Sequence, residues 1–162
     1  MNIFYIDKCP IKSARQLADQ HICKMQIESA QMLCTAHWEL GSSAPYKRAH
    51  TNHPSTKWAR QSIENYRWLV EHGLEIAREF TRRYGKVHKT ESILEWLKTN
   101  EPLIKNNVFT EPPQCMPDLY KMQDTIGAYR NFYIEEKVKL KKLSWKKLNN
   151  IPDWIKFDLT IN

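Results

Sequence analysis

A run of apolar residues at three- and four-residue spacing does most to decide what this chain can fold into. Ala59, Ile63, Tyr66, Val70, Ala77, Phe80 and Tyr84 fall along one stripe of a helix. His53-Pro54 suits its start, with proline at the first helical position. Gly85 suits its end, after Arg82 and Arg83 in the last turn. A helix that long with one continuous apolar face needs other helices to cover it, because most helix stability comes from packing rather than propensity.

The rest of the chain supplies partners. "NIFYID" alternates and is rich in β-formers, which predicts a short strand over 2–6. Pro10 punctuates it, and Ser13 is the expected N-cap of a long helix running to about Leu40. "GSSAPYKRAHTNHP" is a turn-rich connection. Thr90 caps a shorter helix, "ESILEWLKT". The segment "EPLIKNNVFTEPPQCMPD", with four prolines, reads as a packed loop. Asp124 opens a third substantial helix, "TIGAYRNFYIEEKVKLKKL". The expected fold is mainly α: one domain over residues 1–162, a compact bundle of about three long helices with short extra helices and a short N-terminal strand.

Composition narrows the function classes. No stretch of about 18 apolar residues exists, which argues against a membrane span. The first residues lack the basic and apolar regions of a secretory signal, so a cytoplasmic setting is expected. Cys9, Cys23, Cys34 and Cys115 then read as free thiols. A zinc site drawn from His21, Cys23, Cys34, His37, His50 and His53 is the alternative. It is disfavoured, because no CxxC pair exists and His21 lies on a different helix side from Cys23 and Cys34. No metal and no cofactor are expected. The net charge of +7 points to a polyanionic partner, DNA or a nucleotide, before a membrane. Lys57, Arg60, Arg67 and Arg78 lie off the apolar stripe, as a solvated face or a phosphate-contacting one. Six lysines between Lys137 and Lys147, with Trp145 among them, suit either solvated charge or electrostatic capture with base stacking.

Two clusters carry chemistry. On the first long helix, Ala18, Ile22, Met25, Ser29, Leu33 and Ala36 share the core side. His21, Lys24 and Glu28 fall within roughly 60° of one another on its flank. They are either a surface Lys–Glu pair with a nearby histidine, or a carboxylate and base at the border of core and solvent. The second cluster is "HTNHPSTKWARQSIENYRW". Asn52 and His53 stand where a helix start favours an anion, with Trp58, Arg60 and Tyr66 following. A capping histidine is the plainer account; phosphate capture with base stacking is the sharper one.

"ADQHICKMQIESAQML" resembles the N-terminal helix of the phage pyrimidine-dimer DNA glycosylase family, which carries A-D-Q-H and a glutamate seven residues after the histidine, as His21 and Glu28 are here. The likeness extends weakly through "HPSTKWARQSIENYRWL". The chain is also similar to small phage and bacterial proteins with a D-x-x-x-x-K-x-x-x-E helix followed by N-H-P and W. That likeness takes in "YKRAHTNHPS", "RYGKVHK", "FTEPPQCMPD" and "AYRNFYI".

The glycosylase resemblance implies a compact helical fold, minor-groove DNA binding and extrusion of a nucleotide. It implies attack of a terminal α-amine on the sugar C1′, an imine, and a glutamate, here Glu28, moving protons. α-Amines as a class titrate at about 8, which leaves a neutral fraction at pH 7. The family's nucleophile is a threonine amine exposed after methionine removal. This chain begins Met-Asn, which predicts a retained methionine, so the amine would be that of Met1, with Lys24 as the other candidate. Three functions stay open at this level: a DNA N-glycosylase with or without lyase action, an enzyme on nucleotides such as a nucleotide N-glycosidase, and a non-enzymatic nucleic-acid or host-protein binder.

Overall fold

The computed structural model describes residues 1–138, 143–147 and 151–156. Its helices are α1 (Pro10–Arg15), α2 (Asp19–Glu39), α3 (Pro54–Ala59), α4 (Ile63–Tyr84), α5 (Thr90–Thr99) and α6 (Thr125–Phe132). A 3-10 turn spans Asp118–Tyr120, and α6 runs on into a wider π-type turn over Tyr133–Val138. α4 is the central element and packs on α1, α2 and α5, while α2 also meets α3 and α5. The helical bundle expected from the stripe is therefore present, and Tyr66, Val70, Ala77 and Phe80 are buried along it. No helix among the described residues is long and apolar enough to cross a membrane.

The N-terminal strand expected over 2–6 is absent, and no strand occurs among the described residues. The chain turns there instead of extending. Asn2 Oδ1 accepts from the Ile3 and Phe4 N–H groups at 2.8 and 3.4 Å. Phe4 takes φ 55°, and Ile6 N–H donates to the Phe4 carbonyl at 2.9 Å. Ile3, Phe4, Tyr5 and Ile6 are all buried. The β-formers therefore mark a segment enclosed on every side rather than a pleated edge.

Two expected long helices are each broken near their start. Ser13 is not an N-cap: it sits inside α1, where its Oγ donates to the Phe4 carbonyl at 3.2 Å. Pro10 starts that helix, and the chain restarts at Asp19. Side chains from distant segments satisfy the backbone at the break. Arg83 donates to the carbonyls of Leu17 (2.7 Å) and Arg15 (3.0 Å). Trp145 Nε1 donates to Gln16 O at 3.0 Å, and Ala18 N–H donates to the Tyr133 hydroxyl at 2.8 Å. The second long helix breaks between α3 and α4, where Ser62 caps α4 by accepting from Glu64 N–H at 3.1 Å. Gly85 ends α4 in the left-handed region at φ 69°. Asp124 caps α6 by accepting from Ile126 N–H at 3.2 Å.

Candidate functional site

Glu28 lies on the outer flank of α2, between buried Met25 and Ser29. Its side chain is 12% exposed, against 70% for Lys24 one turn earlier. Oε1 pairs with Lys24 Nζ at 3.2 Å. Oε2 accepts from the Asn2 N–H at 3.2 Å and lies 3.8 Å from the α-amine of Met1. The Met1 side chain is 1% exposed, so burial of the methionine anchors the amine beside the carboxylate. Asn2 completes the clamp, with its Nδ2 donating to Cys115 O at 2.8 Å.

His21 takes part from one side. Its ring stacks on Phe4 (centroids 4.2 Å apart, planes at 23°), and its Nδ1 is 2.9 Å from the Tyr133 hydroxyl. That hydroxyl already accepts from Ala18 N–H, so its own proton is available to Nδ1. His21 thus backs the residue that turns the N-terminal segment toward Glu28. His53 lies within range of the charges of the cluster. Burial holds its imidazole below the ordinary histidine value, the nearby N-terminal amine and His50 push it the same way, and Glu28 opposes them. Its Nδ1 accepts from Ser55 N–H at 3.1 Å, leaving Nε2 to carry the proton of the neutral ring. Asn52 is exposed beside it.

The other expected binding residues are committed elsewhere. Trp58 is 3% exposed and donates to Thr110 O at 2.9 Å. Tyr66 is fully buried, with its hydroxyl 3.0 Å from both Leu97 O and His37 Nε2. Neither ring is open to a stacked base. Arg60 spends its guanidinium on the carbonyls of Thr56 and Thr51 at 3.1 and 3.0 Å. The anion seat expected at the start of the second helix also loses its basis, because α3 has six residues and His53 takes the Ser55 N–H. On α4, Arg67 is paired with Glu101 and Glu64, and Arg78 with Glu75. That face is charge-compensated rather than free for phosphate. Trp145 is buried, Trp154 Nε1 donates to Gln16 Oε1 at 2.6 Å, and residues 139–142 of the lysine tail lie outside the described residues. Among the described residues, no group of three or more His, Cys, Asp or Glu side chains is placed to hold a metal ion.

Asn2, Phe4, Tyr133 and Cys115 escaped the sequence reading. They join the cluster across separations of up to 113 residues, and no periodicity or spacing signals such contacts. A cleft of about 620 Å³ between Tyr5, Trp68, Phe109 and three glutamates shares no residue with the amine–carboxylate cluster. The cluster brings together an amine, a largely buried carboxylate and, within range of their charges, the His53 ring.

Fold and site together define an all-helical protein whose N-terminal amine is held against a carboxylate on its first long helix. The chain belongs to the pyrimidine dimer DNA glycosylase family, whose model matches residues 1–92. No curated protein and no solved structure matches it. Membership points to a DNA glycosylase-like enzyme with DNA as its substrate.

Proposed function

We propose that the chain cleaves an N-glycosidic bond in DNA, with the Met1 α-amine as nucleophile and Glu28 as the group that moves the proton. The observation that carries this reading is the seat of Met1 N, 3.8 Å from Glu28 Oε2, with Asn2 N–H on the same oxygen. Glu28 accepts a proton from the ammonium. The amine lone pair then forms a bond to C1′ as the bond from C1′ to the base breaks, and the electron pair leaves with the base, which takes up the second N–H proton. Passing the proton to the sugar ring oxygen opens the ring and leaves an imine, from which elimination of the 3′ phosphate would nick the strand. Met1 is preferred to Lys24 as nucleophile because its buried side chain fixes the amine beside Glu28, whereas the Lys24 side chain is 70% exposed. Lys24 then positions Glu28 through Oε1 and offers its exposed charge to the DNA backbone. His53 donates from Nε2 to the substrate, and Asn52 stands beside it. His21 is a positioning residue.

Borohydride trapping on a duplex with one thymine dimer tests both roles. Wild-type protein should cut one glycosidic bond of the dimer, read as thymine released after photoreversal of the cyclobutane ring, and leave a covalent adduct on reduction. Glu28→Gln should slow base release by about 10²–10⁴-fold. Base release with no trapped adduct would remove the amine and leave a Glu28-activated water. Full base release by Glu28→Gln would overturn the role of the carboxylate.

A further inference from the structure

A second feature lies one turn along α2 from Glu28. Ile27 and Gln31 form the floor of a cavity of about 420 Å³, walled by Tyr46, Lys47, Arg48 and Ala49 on one side and by Lys89 and Thr90 on the other. The first wall is tied down along α2: Trp38 Nε1 donates to Tyr46 O at 2.8 Å, and Thr35 Oγ1 bonds both Ala49 N and Ala49 O. The second wall is tied to the first, with the Tyr46 hydroxyl 3.0 Å from Thr90 Oγ1. Lys89 also lines an adjoining hollow of about 410 Å³ with Lys86 and His88. In sequence the first wall runs on through His50 to His53, which senses the charge of Glu28. The walls therefore frame a groove that crosses α2 at Ile27, the neighbour of Glu28 in sequence.

Its electrostatics are one-sided. No carboxylate lines either hollow. Arg48 is engaged by Glu39 at 3.1 Å and by Trp38 O. Lys47, Lys86 and Lys89 are exposed, and none has an ion-pair partner among the described residues. By contrast, the 620 Å³ cleft has Glu64, Glu71 and Glu111 on its lining, a poor place for a polyanion. Unpaired cations on both walls of a hollow without carboxylates favour successive phosphodiesters.

We propose that this groove seats the DNA backbone, with Lys47 and Lys89 each contacting a phosphate and so fixing the strand's register against Glu28. The inference rests on the glycosylase reading for its substrate, and it replaces the buried or engaged residues Trp58, Arg60 and Tyr66 as the binding surface.

Binding of a fluorescein-labelled 25-mer duplex, with and without a single thymine dimer, is followed by anisotropy from 50 to 200 mM salt. Each phosphate contact contributes about 0.9 to the slope of log affinity against log salt. Lys47→Ala/Lys89→Ala should lower that slope by about 2, so its affinity falls about tenfold less than wild type across the range. Lys12→Ala/Lys105→Ala, which lies outside both hollows, should keep the wild-type slope. An unchanged slope in the groove variant, or an equal drop in the control, overturns the groove and leaves the Glu28 reading intact. The expected slopes in a protein that releases no base would support the groove and remove the glycosylase reading instead.

Discussion

His72, one turn along α4 from Trp68, is a buried imidazole with a price in acid. It is 1% exposed, stacks on Trp68 with centroids 4.8 Å apart, and finds no hydrogen-bond partner for either ring nitrogen among the described residues. Burial pushes its pKa down to about 3. A histidine in the unfolded chain protonates near 6.5, so between about pH 6.5 and pH 3 the unfolded state binds the extra proton. Stability from this group is complete above about pH 6.5 and falls as the pH drops, by about 1.4 kcal/mol per unit. Burial lowers His37, His53 and His88 as well, and each adds to the same trend. His72→Leu removes two unpaired buried nitrogens at similar volume. It should be neutral or stabilising at pH 7, and it should reduce the loss between pH 7 and pH 5 by roughly 2 kcal/mol. Urea unfolding at the two pH values reads this directly. An unchanged pH dependence would mean that the ring has a partner or is hydrated.

At the scale of elements, the site depends on how closely α4 approaches α2. Gly73 is the contact point. A Cβ there would lie 2.9 Å from Leu94 Cδ2 on α5 and 3.2 Å from Ser29 Cβ, next to Glu28 on α2. Alanine would gain about 1 kcal/mol of helix propensity, but overpacking costs about 1–3 kcal/mol. Leu94 is fully buried and Ser29 Cβ is fixed to the α2 backbone, so the clash should win. Gly73→Ala should lose about 1 kcal/mol, a fall of about 2–4 °C in Tm at this chain length. A raised Tm in thermal unfolding would show that α5 yields freely.

The same elements show what a sequence can reveal. The stripe from Ala59 to Tyr84 and the caps at Gly85 and Asp124 are local matters of spacing and backbone preference, and they were legible. So was the shared flank of His21, Lys24 and Glu28. The breaks at Gln16–Ala18 and Arg60–Ser62 were not, because continuous helical spacing crosses both. Their backbone groups are satisfied in part by Arg83, Trp145 and Tyr133, far along the chain. Trp58, Arg60 and Tyr66 misled for the matching reason: an aromatic or arginine on a helix reads the same whether it faces solvent or a buried carbonyl.

For the whole molecule, the decisive junction is where α1, α2, α4 and residues 143–147 meet. Asp19, Glu79 and Arg83 are all buried there. Arg83 pairs with Asp19 at 3.1 Å and with Glu79 at 3.1 Å, while also holding the carbonyls of Arg15 and Leu17. Asp19 reaches the later segment in turn: its Oδ2 accepts from Lys147 N–H at 3.2 Å, and its own N–H donates to Ser144 O at 2.8 Å. One guanidinium therefore closes the break before α2 and, through Asp19, fastens the later segment over it. Buried pairs are weak sources of net stability, but removing one partner strands the other charge and costs about 3–5 kcal/mol. Arg83→Met should incur that cost, a large share of the roughly 5–15 kcal/mol by which domains are stable. Lys98→Ala, which breaks the exposed pair with Glu71, should cost less than about 1 kcal/mol. Because α2 starts at this junction and carries Glu28 two turns later, Arg83→Met should also weaken base release at temperatures where it remains folded. Denaturant unfolding of both variants decides the point, and equal losses would show that the junction is held by packing rather than by Arg83.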